Sequence, residues 1–291
     1  MFPPIFFIGM SKNCFQNLKI NLEYLIKFKL ITDFKIKICI IDSDSTDGTK
    51  PYCSKLYEKG DIDSFIEIDN LENSYPSRIE RLSICRNEAL NYIKNENHEN
   101  ALYVPMDMDL DLFSLIKFEQ LRKIIISFNS SDMDAMFPFS IPYYYDIFAL
   151  RSENWVEKNN LLLSKKYKDR LIFFSFIINF FLIFRFQKNI KRFDSDFINV
   201  NSAFGGIALY KVNNELLETA KYDISKVDKD YYSEHLFFNG HFKNLKISKN
   251  WNIVSPHDYT FFNSYGFNEK LIYILKTFKS DFIKFTNYFK K

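Results

Sequence analysis

Short apolar runs alternate with helix-like repeats through the first 110 residues of the chain. The runs Ile5–Ile8 and Ile36–Ile41 have the length and composition of buried strands. Between them, Leu18, Leu22 and Leu25 recur at the spacing of one helix face. Strands joined by helices in this way form a parallel sheet with helices on its faces. The sequence therefore predicts an α/β fold with a doubly wound, mostly parallel central sheet flanked by helices.

A further strand, in the stretch Ala101–Leu112, ends in three acids. Pro105 predicts the end of regular strand pairing. Asp107 and Asp109 follow two residues apart, so we expect their carboxylates on one side. Two converging carboxylates repel each other unless a cation lies between them, and Mg²⁺ or Mn²⁺ suits such oxygens. A solvated acidic turn is the alternative, and Asp111 leaves open which two acids would bind metal.

Polar stretches follow three of the predicted strands, at Gly9–Asn13, Asp42–Asp47 and Asp107–Asp109. Ligands of doubly wound sheets bind at the carboxyl ends of the strands, so we expect all three stretches at one crevice. A predicted helix over Arg78–Ile93 leads into the acidic strand. It carries four polar residues near its start, which are Arg78, Arg81, Arg86 and Asn87. Guanidinium groups suit phosphate, so this helix is predicted to face the crevice; a solvated charged face is the alternative.

The segment 164–192 interrupts this pattern. Its apolar centre, Leu171–Phe184, has basic flanks and is about 14 residues long, shorter than the ~20 that a membrane-spanning helix needs. It is predicted to lie either in a membrane interface or in the core. Residues 263–291 form a basic amphipathic tail that also suits anionic lipid. We expect residues 1–262 to form one catalytic domain with 164–192 as an insert.

Composition narrows the partners and the compartment. The formal net charge of +3 is too small to predict nucleic-acid binding. The four cysteines show neither a paired spacing nor a zinc spacing, so they are predicted to be reduced thiols. The first residues lack the basic leader and cleavage site of a signal peptide. The predicted location is cytoplasmic, at the inner face of the cytoplasmic membrane if the insert contacts lipid.

Several segments in this order resemble the GT-A class of nucleotide-sugar glycosyltransferases. IIDSDSTDGT resembles its nucleotide loop, RLSICRNEAL its Arg-Asn helix, and MDMD its Asp-x-Asp metal motif. SAFGGIALY and SEHLFFN resemble its acceptor-side segments. The segment YYYDIFALR, with the glycine pair and SEHLFFN, resembles the fungal capsule-associated α-mannosyltransferase group. The likeness covers roughly residues 4–260 in element order.

The resemblance implies transfer of a sugar from a GDP- or UDP-linked donor to a glycan or lipid-linked acceptor, with Mn²⁺ or Mg²⁺ as cofactor. The implied donor-binding residues are Ser11, Asn13, Asp42, Asp44, Arg78, Arg81, Asn87 and Asp107. The implied metal ligands are Asp107, Asp109 and His257, and the implied acceptor-side residues are Gly205, Gly206 and His235. Arg86 would offset charge on the leaving diphosphate, and Glu234 would be the general base of an inverting reaction. A surface histidine and a helix N-terminal acid are the alternatives for His257 and Glu234.

The leading hypothesis is a metal-dependent glycosyltransferase of cell-surface glycan synthesis. A nucleotidyltransferase also uses paired carboxylates on such a sheet, but GMSKN, after the first strand, has only one glycine and one lysine. A non-catalytic glycan- or lipid-binding module is the third hypothesis, against which the complete Asp-x-Asp and Arg-Asn motifs count.

Overall fold

The computed structural model describes residues 2–170, 174–224, 231–256 and 266–288. The strands of the described part are β1 Ile5–Ser11, β2 Ile36–Ser43, β3 Ser64–Ile68, β4 Asn100–Asp107, β5 Ala135–Ile141, β6 Phe197–Val200, β7 Leu209–Asn213 and β8 Leu245–Val254. They form one sheet in the order β3-β2-β1-β4-β7-β5-β8-β6. Six of these strands run parallel, whereas β7 and β6 are antiparallel to their neighbours. The predicted α/β, mostly parallel sheet is confirmed.

The helices of the described residues are α1 Phe15–Ile31, α2 Thr49–Glu58, α3 Leu71–Ser74, α4 Arg78–Asn95, α5 Phe118–Ser130, α6 Asn160–Arg170, α7 Ser175–Leu182, α8 Asn214–Thr219, α9 His235–Asn239 and α10 Phe267–Tyr288. Short 3₁₀ turns lie at Phe184–Phe186 and Ile190–Arg192. The site helix α4 begins where its sequence predicts, because the hydroxyl of Ser77 accepts a hydrogen bond from the Glu80 amide at 3.4 Å.

Apolar cores cover both faces of the sheet. Successive side chains of a strand point to opposite faces, so Ile5 and Phe7 of β1 face one core and Phe6 and Ile8 the other. Helices α1, α2 and α5 pack on the first face, and α4, α8 and α9 on the second. This arrangement confirms the doubly wound packing, and it leaves the carboxyl edge of β1, β2 and β4 open for a site.

Two predicted strand ends are wrong. Strand β1 continues through Gly9 to Ser11. Glycine serves here as a close-packing residue and not as a turn, because a Cβ on Gly9 would lie 2.6 Å from the Met108 sulfur. Strand β4 continues through Pro105 to Asp107, in an unbroken parallel ladder with β1. Proline is tolerated because regular pairing with β7 on the other side stops at Tyr103.

The predicted insert and tail pack against each other. Of the apolar run Leu171–Phe184, residues 171–173 lie outside the described residues, and the rest is helix α7 with the turn that follows it. Ile178 and Phe184 are buried, whereas Phe181 is 52% exposed. The carboxylate of Asp281 on α10 accepts a hydrogen bond from the Ser175 hydroxyl of α7 at 2.7 Å. No helix of the described residues combines the length and apolar character needed to cross a bilayer.

The four cysteines are buried and form no disulfide. Burial raises the pKa of Cys14, Cys39 and Cys53 to about 12, and that of Cys85 to about 11. They therefore remain protonated thiols at neutral pH, as small core residues do. The compartment of the protein stays a prediction.

Candidate active site

Two cavities meet at the carboxyl edge of the sheet. The first, here called the strand-edge cavity, measures about 350 Å³ and lies over the ends of β1 and β2 and the start of α4. The second, the loop cavity, measures about 330 Å³ and lies among the segments around Asp146, Phe204 and Glu234. Both are lined by Arg78, Leu82, Asp107 and Asp109. The acids of the Asp-x-Asp motif therefore stand where the cavities join.

The floor of the strand-edge cavity is held by Asp42. The register of β1 and β2 pairs Ser11 with Asp42. The fully buried Asp42 carboxylate accepts hydrogen bonds from the hydroxyls of Ser11 at 2.9 Å and Ser45 at 2.5 Å, and from the Ser45 amide at 3.1 Å. Ser11 lines the cavity, but Asp42 does not. Asp42 is predicted from the sequence to contact a nucleotide directly. Its carboxylate instead lies beneath the cavity wall.

Two residues in the left-handed backbone region shape the same cavity. Asn13 has φ 48°, and its side-chain oxygen accepts a hydrogen bond from the Thr46 amide at 2.7 Å, so the loops after β1 and β2 are tied together. Asn13 lines the cavity as predicted. Asp44 has φ 58°, and its carboxylate accepts a hydrogen bond from the Glu72 amide at 2.8 Å. Asp44 lines neither of the two cavities, and its carboxylate instead binds the first turn of α3.

The polar residues of α4 separate into three environments. Arg78 is exposed, lines both cavities, and makes no hydrogen bond or ion pair with the described residues. Arg81 lines the strand-edge cavity, and its Nη1 donates to the carbonyls of Tyr75 and Pro76 at 2.7 and 2.9 Å. Asn87 lines neither cavity. Its amide instead pairs with the backbone of Tyr222 in both directions, so its predicted contact with the donor is not supported.

The two acids of the Asp-x-Asp motif lie on the same side of the strand end, as the two-residue period of a strand predicts. Met106 and Met108 are fully buried, whereas Asp107 and Asp109 both line the junction of the cavities. Reduced solvation in the cleft and repulsion by Asp107 raise the pKa of Asp109 to about 6. The third acid, Asp111, lines neither cavity, and its carboxylate accepts a hydrogen bond from the Ser114 amide at 3.1 Å. Of the three acids, Asp107 and Asp109 are therefore the two that face the cavities.

Buried Arg86 links two carboxylates that are far apart in sequence. Its Nη2 donates to Asp107 Oδ1 at 2.7 Å and its Nε donates to Glu234 Oε1 at 2.8 Å. Burial alone lowers the pKa of Arg86, but Asp107 and Glu234 outweigh it and the pKa is raised. The side chain is 1% exposed and lies over the ring of Phe204 at 4.7 Å. Arg86 is therefore a fixed positive charge that holds Asp107 and Glu234 in place, rather than an exposed cation.

Three buried polar atoms beside the loop cavity have no hydrogen-bond partner among the described residues. They are Nη1 of Arg86 and both ring nitrogens of His235. His235 stacks on Phe204 with ring centres 3.7 Å apart. Burial and the charge of Arg86 lower the pKa of His235 well below its usual value, so its ring is neutral. Glu234, the predicted base, and His235, the predicted acceptor-side residue, both line the cavity.

Asp146 is a lining residue of the loop cavity that the sequence analysis did not assign. Its carboxylate accepts hydrogen bonds from the Gly205 amide at 2.9 Å and the Ala149 amide at 3.1 Å. Burial raises its pKa to about 6. The only signal in the sequence is its place in YYYDIFALR, a segment without helical or strand periodicity.

The glycine pair lies behind the cavities and lines neither. Gly205 and Gly206 have φ 78° and 88°, which side chains rarely adopt. The carbonyl of Gly206 accepts a hydrogen bond from the Asp107 amide at 2.7 Å, and a Cβ on Gly206 would collide with Leu110. The predicted acceptor contact is thus corrected: these glycines position Asp107 and Asp146.

The donor set at the junction fits a hard divalent cation. Two carboxylates border one opening, one of them is solvent-exposed, and their mutual repulsion is what a cation would relieve. Mg²⁺ commonly uses only one or two carboxylates and takes its other oxygens from phosphate and water. Within the described residues no group of three His, Cys, Asp or Glu side chains is placed to hold a metal. The predicted third ligand, His257, lies outside the described residues.

Comparison with known proteins gives only distant structural likenesses. No family model and no curated protein matches the sequence. The solved structures that resemble it include TarS of S. aureus, with 14% identity and a TM-score of 0.46 over 89% of this chain. The mannosyltransferase PcManGT from Pyrobaculum calidifontis, in complex with GDP-Man and Mn²⁺, has 14% identity and a TM-score of 0.46 over 88% of this chain. This chain spans 38% of that TarS chain and 57% of PcManGT.

Proposed function

We propose that this protein is a metal-dependent glycosyltransferase that moves a sugar from a nucleoside diphosphate sugar to an acceptor hydroxyl. The observation that carries the proposal is the junction: two cavities of similar size share Asp107, Asp109 and Arg78. A transfer between two substrates needs two binding spaces that meet at the reacting atoms. A cation at this junction fits a substrate whose leaving group is a diphosphate.

The strand-edge cavity is the better space for the nucleoside. It lies at the carboxyl ends of β1 and β2, where doubly wound sheets bind their ligands. Ser11 and Asn13 offer polar atoms on rigid loops, since Asp42 and Ser45 hold both loops in place. Arg78 is an exposed cation that lines the same cavity as far as the junction. It is therefore our candidate for binding the diphosphate, in place of Arg86.

The loop cavity is the space for the sugar and the acceptor. Glu234 lies there as the candidate base and takes the proton of the acceptor hydroxyl. The acceptor oxygen then bonds to the anomeric carbon, and the electron pair of the broken carbon–oxygen bond leaves with the diphosphate. Arg86 fixes the position of Glu234 relative to Asp107. A divalent cation held by Asp107 and Asp109 would supply neutralisation of the diphosphate charge. A role in cell-surface glycan synthesis, and the likeness to the fungal group, stay predictions.

The test is to incubate purified protein with a panel of GDP- and UDP-linked sugars, with and without Mn²⁺, and to measure the released nucleotide. We expect release of nucleoside diphosphate that depends on the metal and is lost in Asp109→Ala. Formation of a sugar nucleotide and pyrophosphate from a nucleoside triphosphate and a sugar 1-phosphate, supplied in a parallel assay, would instead indicate a nucleotidyltransferase. No release with any donor, from protein that binds a saccharide, would support a non-catalytic binding module.

A further inference from the structure

Helices α7 and α10 present an apolar surface to solvent. Its members include Phe174, Ile177 and Phe181 at α7, and Leu271, Leu275 and Phe278 on α10; we call this surface the α7–α10 face. The exposed fraction of these side chains ranges from 42% to 60%. Contiguous apolar patches on proteins mark contacts with another protein, a ligand or a membrane.

Helix α10 carries apolar side chains on the side that faces solvent. Leu271, Leu275 and Phe278 recur at intervals of four and three residues and form one outward stripe. Its inward side carries Tyr273, which packs against the rings of Phe176 and Phe184. It also carries Asp281, which is 2% exposed and accepts hydrogen bonds from the hydroxyl and amide of Ser175. Water-facing helices of globular proteins place their apolar stripe inward. The apolar stripe of α10 thus suits an apolar medium outside the protein.

Exposed cations accompany this face. Lys276 and Lys279 lie on α10, Arg185 follows α7, and Lys166 lies on α6. Helices with an apolar stripe and flanking Lys or Arg lie in the interface of anionic bilayers. A second copy of the chain is less well matched, because a symmetric contact through this face would bring these cations toward their own copies.

Residues next to the face in sequence also line the loop cavity. Leu161 of α6 and Ile183, which directly follows α7, both line that cavity. A surface held on a bilayer by α7 and α10 would therefore keep the loop cavity close to the lipid headgroups. An acceptor attached to a lipid would reach this cavity without leaving the bilayer.

We propose that the α7–α10 face docks on the surface of a bilayer that contains anionic phospholipid, and that the acceptor is a lipid-linked saccharide. The second part rests on the proposed glycosyltransferase function, whereas the docking does not.

The docking is tested by flotation with vesicles of phosphatidylcholine, with and without phosphatidylglycerol. We expect the wild type to float with the anionic vesicles, and the double variant Leu275→Ser, Phe278→Ser to bind at least tenfold more weakly while its Tm is unchanged. The matched control is Leu30→Ser, Ile31→Ser on α1, since these side chains are 79% and 60% exposed and lie outside the face. We expect the control to float like the wild type.

The charge part has its own variant. Lys276→Gln, Lys279→Gln should weaken binding about 25-fold, because each cation near an anionic surface contributes a factor of about five, or about 1 kcal/mol. The control Lys27→Gln, Lys59→Gln changes exposed lysines of α1 and the end of α2. It should not weaken binding. A wild type that does not float, or that floats equally with neutral vesicles, would overturn the docking. So would a dimer in solution that the face variant dissociates, since a second copy would then cover the face.

The acceptor part is tested with long-chain alkyl glycosides in the vesicles and methyl glycosides in water. We expect transfer at least tenfold faster to the vesicle-bound acceptor, an advantage that Leu275→Ser, Phe278→Ser removes while nucleotide release in buffer survives. Equal transfer to both acceptors would overturn the lipid-linked acceptor. Flotation without transfer to either acceptor and without nucleotide release would refute the proposed function but leave the docking intact.

Discussion

The two cavities are built in different ways. In the strand-edge cavity the polar groups bond to one another: Asp42 accepts three hydrogen bonds, and Asn13 ties two loops. In the loop cavity, Arg86 Nη1 and both nitrogens of His235 are buried without a partner among the described residues. An unpaired buried polar group costs about 1–3 kcal/mol. The first cavity is therefore shaped by internal hydrogen bonds, whereas the buried polar atoms beside the second are not paired in this way.

The largest effect is expected at Arg86, which lines the loop cavity and bonds to Asp107 at the junction. Arg86→Leu leaves the carboxylates of Asp107 and Glu234 without their shared cation, so the free energy of unfolding should fall by about 3–5 kcal/mol. Urea unfolding measures the loss. Arg122→Leu removes an exposed arginine 3.5 Å from Asp33 and should cost less than about 1 kcal/mol. Equal losses in the two variants would show that the Arg86 bridge does not hold the cavities together.

At the junction of the cavities, a substitution should reduce activity without reducing stability. Asp109→Ala removes an exposed carboxylate that packs against no core, so Tm should stay within a few degrees of wild type while transfer falls at least about hundredfold. Asp111→Ala, which changes an acid outside the cavities, should keep transfer within about threefold. Transfer assays on both purified variants measure this, and near-wild-type transfer by Asp109→Ala would remove Asp109 from the site.

Asp42 tests the internally bonded cavity. Asp42→Ala deprives Ser11 and Ser45 of their acceptor, so we expect a loss of about 1–3 kcal/mol in stability and a higher KM for the donor at similar kcat. The reason is that these loops contact the donor equally before and during reaction. Steady-state kinetics with varied donor measures the change. A large fall in kcat at constant KM would contradict the role of Asp42 beneath the donor.

Asp146 gives the smallest expected effect, as a pH dependence. Its pKa in the folded protein is about 6, above the usual 3.8, so its ionised form destabilises the fold. The free energy of unfolding of the wild type therefore falls as the pH rises from about 4 to 6, because Asp146 ionises in this range. Two pKa units correspond to about 3 kcal/mol, and the partial exposure of Asp146 reduces this. The stability of Asp146→Asn relative to wild type should therefore rise across that window by on the order of 1–2 kcal/mol and stay flat above pH 7. Unfolding at a series of pH values measures it, and a flat difference would show an ordinary pKa.

The strand-edge half of the molecule is the half that local sequence predicts. Strand and helix periodicities are short-range, so β1, β2 and β4 follow from them, and the period of two residues places Asp107 and Asp109 on one side. The burial of Asp42 does not follow, because an acid in a polar loop predicts exposure. Only the register with β1, which brings Ser11 opposite, encloses its carboxylate.

The loop half depends on contacts that no local pattern encodes. Arg86 bonds to Glu234 from 148 residues away, so its residue type could be found but its burial could not. Asp146 lies in a segment without periodicity, and the glycine pair was assigned to the acceptor although it packs behind the acids. Residues whose function lies in a tertiary contact are the ones the sequence misplaced.

The division between the cavities is tested most directly by nucleotide affinity. The Kd of the preferred nucleoside diphosphate with Mn²⁺ would be measured by calorimetry for wild type, Asn13→Gly and His235→Phe. Asn13→Gly keeps the positive φ but removes a side chain of the strand-edge cavity, and His235→Phe keeps a stacking ring but removes the nitrogens of the loop cavity. We expect Kd to rise at least about tenfold in Asn13→Gly and to stay within about twofold in His235→Phe. The reverse order, or equal weakening by both, would contradict the assignment of donor and acceptor to separate cavities.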